Sequence, residues 1–112
     1  MSADAFCVCY GLRWEIDGSN EEEVTRLEMR QDPRQLAAKK HNLDSWWANA
    51  ADGDSYFLFV GKMVGNFGWE SKHLMRIEDA ELARIVNETK QKLRDAGLAG
   101  SPAWQFQFVP DN

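Results

Sequence analysis

A chain of 112 residues with 44% apolar side chains and a formal net charge of −5 has material for one hydrophobic core and a surplus of negative surface. That balance argues against nucleic acid or an anionic membrane as a general partner, because both recruit proteins through Lys and Arg. The only two cysteines, Cys7 and Cys9, stand at i and i+2 and make no disulfide framework, so reduced thiols are expected. The first residues carry no basic segment and no apolar run approaches the roughly 20 residues that span a bilayer, which predicts a cytoplasmic protein.

From Phe6 to Ile16 every even residue is large and apolar (Phe6, Val8, Tyr10, Leu12, Trp14, Ile16), while the odd positions read Cys7, Cys9, Gly11, Arg13, Glu15. Side chains alternate across a strand, so this pattern predicts a strand with one face given to the core and a second left for water, a partner or a ligand. Asp17-Gly18-Ser19-Asn20 is a turn cluster. The charged stretch from Glu21 to Arg30, with Val24, Leu27 and Met29 as its apolar content, fits a short helix or an outer strand.

Asp32 as N-cap, Pro33 at the first helical position and Gln35 at the third predict a helix start, since both side chains can satisfy free backbone N–H groups. The expected helix runs from Pro33 toward Ala48, with Leu36, Leu43 and Trp47 on its buried stripe and Asp44 available to cap a second piece. In that helix Trp46 and Trp47 point about 100° apart, which leaves one of them at a rim. Ala51–Ser55 reads as a turn. Tyr56–Val60 is apolar at every position and predicts a strand covered on both sides.

Gly61, Gly65 and Gly68 suggest bends, a bulge or a hairpin before a weaker strand at His73–Ile77. A helix is then expected with Asp79 as its N-cap, Leu82, Ile85, Val86, Thr89 and Leu93 inward and Gly97 as its stop. Trp104-Gln105-Phe106-Gln107-Phe108 alternates as the last strand, ended by Pro110. The order β-α-β-β-α-β predicts an α+β fold in the ferredoxin-like arrangement: one domain over 1–112, a single-layer antiparallel sheet and two helices on one face.

The open sheet face would then carry Cys7, Cys9, Gly11, Arg13, Gln105 and Gln107, plus whichever half of Tyr56–Val60 points away, with Leu82, Ile85, Val86 and Leu93 packed on the other side against Val8, Tyr10, Leu12, Phe106 and Phe108. Specific chemistry is sparse. The glycines at 61–68 lack the Ser or Thr after Gly-Lys that a phosphate loop needs, and Asp52-Gly53-Asp54-Ser55 lacks the acidic twelfth position of a calcium loop. Cys7 and Cys9 with His41 and His73 do not have zinc-ligand spacing. In Trp69-Glu70-Ser71-Lys72-His73, alternation separates Glu70 from His73, so no triad assembles locally.

These features predict a small non-enzymatic binding domain acting through its open sheet face, as a homodimer or with a small protein partner. Cys7, Cys9, Arg13, Trp46, Trp47, His73, Gln105 and Gln107 are its expected binding residues. Neither a cofactor nor a metal is expected, and nucleic acid and membrane are not expected partners. The alternative is a small enzyme using His73 with Glu70, or a cysteine nucleophile.

Overall fold

The alternation read at the N-terminus extends over one long strand, β1 (Ala5–Asp17), which forms the middle of the sheet. The computed structural model describes residues 5–49, 55–68 and 73–109. After β1 come two short helices, α1 (Glu21–Glu28) and α2 (Pro33–Lys40), then β2 (Asp44–Asn49), β3 (Ser55–Gly68), α3 (Asp79–Asp95) and β4 (Ala103–Val109). The strands lie in the order β2-β3-β1-β4, and every neighbouring pair is antiparallel. It follows that β1 and β2 run parallel with β3 between them, and β3 and β4 run parallel with β1 between them. The fold is α+β with a four-stranded antiparallel sheet.

The core lies on the even face of β1. Leu12 and Ile16 meet Leu58 and Val60 of β3, and Leu27 of α1, Ala38 of α2 and Leu93 of α3 close over them. Residues 21–30, open between helix and strand in the sequence, begin as helix because Asn20 caps α1: its side chain accepts from the Glu23 N–H at 3.2 Å. The α2 start is as read, with Asp32 and Gln35 forming the reciprocal cap behind Pro33.

Three expectations are corrected. The helix from Pro33 does not reach Ala48: it stops at Lys40, and Asp44 opens β2 instead of capping a second helical piece. Asn42 adopts a left-handed conformation (φ 57°), so the Leu43 N–H turns back to donate to Ala38 O at 2.8 Å. In consequence Leu36 is exposed, Gln35 and Ala38 are the buried residues of α2, and Trp46 and Trp47 point to opposite faces of a strand.

The second correction concerns the glycines at 61–68, which do not bend the chain out of the sheet. β3 continues through them to Gly68, and His73–Ile77 forms no strand. Gly61 pairs with Gly11, and a Cβ on either would stand 2.7 Å from the Cα of the other. Bare backbone is what allows so close a crossing. The irregularity near Gly65 is a bulge: Val8 pairs with Gly65 and Cys9 with Met63, which leaves Val64 as the extra residue.

Third, Asp79 is the first residue of α3 and not its cap: Glu78 holds the cap position, without a side-chain hydrogen bond. Ile85, Thr89 and Leu93 are buried as expected, whereas Leu82 is exposed, and so are Phe106 and Phe108 of β4, which were expected in the core. Gly97 ends the helix as read, at φ 73°. Of the turn expected over Ala51–Ser55, Ser55 is the first residue of β3, and residues 51–54, Pro110 and the Trp69–Lys72 part of the polar cluster lie outside the described residues.

Candidate functional site

Two surfaces of the sheet carry the side chains of interest, one on each face. On the odd face, β1 presents Cys7, Cys9 and Arg13, with Gln107 beside Cys7, Gln105 beside Cys9, and Phe59 beside Arg13. Six of the eight residues named from the sequence therefore come together here: Cys7, Cys9, Arg13, Trp46, Gln105 and Gln107. Trp47 faces the helices, where it packs on the core beside Tyr56. His73 stands before α3, on the helical side of the sheet.

Among the described residues no helix covers the odd face, yet its large rings are not bare. Phe57 and Phe59 are only 2% and 1% exposed. The Arg13 guanidinium lies 4.0 Å above the Phe57 ring, and Trp46 meets the same ring edge-on at 5.1 Å. Arg13 is held in place by donating from Nη1 to Gln107 Oε1 at 2.6 Å and from Nε to Glu15 Oε1 at 3.2 Å. The polar residues that alternation assigns to this face thus act as its roof.

Beneath that roof are three sulfurs. Cys7 Sγ and Met63 Sδ are 3.9 Å apart, the thiols of Cys7 and Cys9 interact side chain to side chain, and Cys9 Sγ donates to Gln105 O at 3.8 Å. Both cysteines are buried and unbridged. Burial pushes the Cys9 thiol up to about 12, reinforced by the neighbouring Cys7, and raises Cys7 in the same direction. A thiol held protonated in this way is the opposite of an activated nucleophile.

On the even face, the end of the sheet near the start of β1 is only partly covered: Val8 is buried, while the rings beside it are open to solvent. Phe6 stacks on Phe67 at 5.6 Å and leans on Phe108 at 5.3 Å. Phe106 and Phe108 on the edge strand are 64% and 43% exposed, and Leu74 is 74% exposed. Between α3 and β4 the surface sinks into an apolar groove of about 580 Å³, lined by Val8, Met75, Ile77, Leu82, Trp104 and Phe106 among others, with His73 at its margin. Alternation identified the faces of these residues but not how far α3 would reach across the sheet.

Among the described residues no three His, Cys, Asp or Glu side chains gather, so Cys7 and Cys9 do not join His41 or His73. Within the same residues no helix is long and apolar enough to cross a membrane. Phe57 and Phe59 are the half of Tyr56–Val60 that falls on the odd face, whereas Met63 is not among the residues that the sequence assigns to it. The only signal for Met63 was the irregular glycine spacing that marks the bulge. No family model, no curated protein and no solved structure matches the chain.

Proposed function

We propose that the chain is a non-enzymatic binding domain of the cytoplasm that works as a homodimer, with two copies joined along the β4 edge. The observation that carries this reading is the exposure of Phe106 and Phe108 on a strand, Ala103–Val109, that bears no charged residue. Edge strands of monomers are ordinarily protected by Lys, Pro, bulges or a covering element, and contiguous exposed apolar surface marks an interface. A second copy in antiparallel pairing about Phe106 sets aromatic against aromatic and brings no like charges together. Two buried, unbridged thiols suit a reducing compartment.

In this reading the sheet order corresponds to the ferredoxin-like arrangement, with α1 and α2 together in the place of its first helix. The raised thiol of Cys9 weighs against a cysteine nucleophile, and the net charge of −5 weighs against nucleic acid and anionic membrane as partners. The test is light scattering over a range of concentrations for the wild type and for Phe106→Gln, with circular dichroism to check the fold. A wild-type dimer that becomes a folded monomer in the variant is expected. A strict wild-type monomer overturns the proposal, and a dimer that survives Phe106→Gln but is lost in Trp46→Gln moves the contact to the odd face.

A further inference from the structure

We propose that Cys7, Cys9 and Met63 form a binding site for a soft monovalent cation of the Cu(I) class. The two thiols and the thioether converge on one patch of the odd face although they come from two strands and 56 residues apart in the case of Cys7 and Met63. What brings them together is the bulge. By taking Val64 out of the ladder it sets Met63 opposite Cys9, while Asp44 of the neighbouring edge strand fixes Met63 by accepting its backbone N–H at 2.8 Å. Bulges recur beside functional sites because they re-aim a side chain in this way.

The spacing fits a shared metal. Metal–thiolate bonds of about 2.3 Å arranged at about 120° put two sulfurs about 4 Å apart, and Cys7 Sγ stands 3.9 Å from Met63 Sδ. The donor set selects the ion. Thiolate with thioether favours Cu(I), and among the described residues no carboxylate or imidazole joins the two thiols to suit a harder cation.

On binding, the cation displaces the two thiol protons to solvent, forming two metal–thiolate bonds and one thioether bond without change of oxidation state. The loaded site then carries a net charge of −1, and Arg13 supplies a positive charge on the same face. Gln107 holds Arg13 through the 2.6 Å hydrogen bond, while the bond from the Cys9 thiol to Gln105 O is given up with its proton on loading. Arg13 and Gln107 are thus the outer partners that orient the metal's ligands.

The test is an anaerobic competition titration of the full chain with Cu(I), supplied as its acetonitrile complex, against a chromophoric Cu(I) chelator, followed by X-ray absorption of the loaded protein. One Cu(I) per chain with three sulfur neighbours is expected. Met63→Leu conserves volume and keeps the fold. It should weaken binding at least roughly 10-fold, since loss of even an outer partner of a metal costs that much, and Cys9→Ser should abolish binding. Wild-type affinity in Met63→Leu, or a wild type that competes no better than the Cys7→Ser/Cys9→Ser double variant, overturns the site and leaves the sulfurs as packing.

Discussion

Asp32 and Arg34 grip each other across a single intervening proline: Asp32 Oδ1 accepts from the Arg34 backbone N–H at 2.9 Å and from its Nε at 2.8 Å, and Oδ2 accepts from Nη2 at 2.9 Å. Arg34 also reaches back to Glu23 of α1 at 2.8 Å, so this one cluster caps α2 and ties it to the preceding helix. Hydrogen bonding from Arg34 holds the Asp32 carboxyl below its ordinary value.

A carboxylate depressed in the folded state contributes stability that is present above its unfolded pKa, about 3.9, and is lost as pH falls through the folded value. Asp32→Asn should therefore narrow its stability gap to the wild type as urea unfolding is repeated from pH 7 toward pH 3. Asp32→Ala, which also removes the cap and leaves Arg34 facing an empty site, should cost about 2 kcal/mol or more at pH 7. A gap between wild type and Asp32→Asn that stays constant with pH would show that the charge of Asp32 does not contribute.

The three helices end alike, each with a residue in the left-handed region: Arg30 at φ 58°, Asn42 at φ 57° and Gly97 at φ 73°. In each, the following N–H donates back into the last turn, from Gln31 to Arg26 O, Leu43 to Ala38 O and Leu98 to Leu93 O. Only glycine adopts that conformation without a steric penalty from Cβ. Arg30→Gly should accordingly raise stability by about 0.5–1 kcal/mol, and Gly97→Ala should lower it by about 1 kcal/mol. Thermal unfolding of the two variants checks this, and a destabilised Arg30→Gly would mean that the Arg30 side chain contributes more than its backbone costs.

Those same endings show why part of the fold was legible in the sequence and part was not. Strict alternation, as in β1 and β4, reports the face of every residue, and it puts Cys7, Cys9, Arg13, Gln105 and Gln107 on one face from the sequence alone. Leu36, Leu43 and Trp47 mimic a helical stripe, and nothing local overrules it except Asn42, whose left-handed turn is a weaker signal than glycine. Gly61 carries the same ambiguity, since glycine marks a chain break or a close strand crossing with equal force, and only its Gly11 partner decides. Met63 was out of reach because its position depends on the bulge, a property of two strands in register. The partly covered end of the even face was hidden for a similar reason: periodicity gives the inward stripe of a helix but not how much of the sheet that stripe covers.

That last point yields a contrast along α3. Ile85 and Leu82 lie three residues apart on one helical stripe, yet Ile85 is 5% exposed, whereas Leu82 is 39% exposed at the groove beside Trp104 and Phe106. Truncating a packed core side chain removes its transfer energy and leaves a cavity, so Ile85→Ala should cost about 2–5 kcal/mol. Leu82→Ala removes a side chain already in contact with water, and its cost should stay below about 1 kcal/mol in the monomer. If the β4 edge carries the twofold contact and the partner covers the groove, Leu82→Ala should instead lower stability increasingly as protein concentration rises, because dissociation and unfolding are then linked. Urea unfolding of both variants at low and high concentration separates the cases. Equal, concentration-independent losses for Leu82 and Ile85 would mean that α3 covers the sheet evenly and that no apolar surface is left at β4 for a partner.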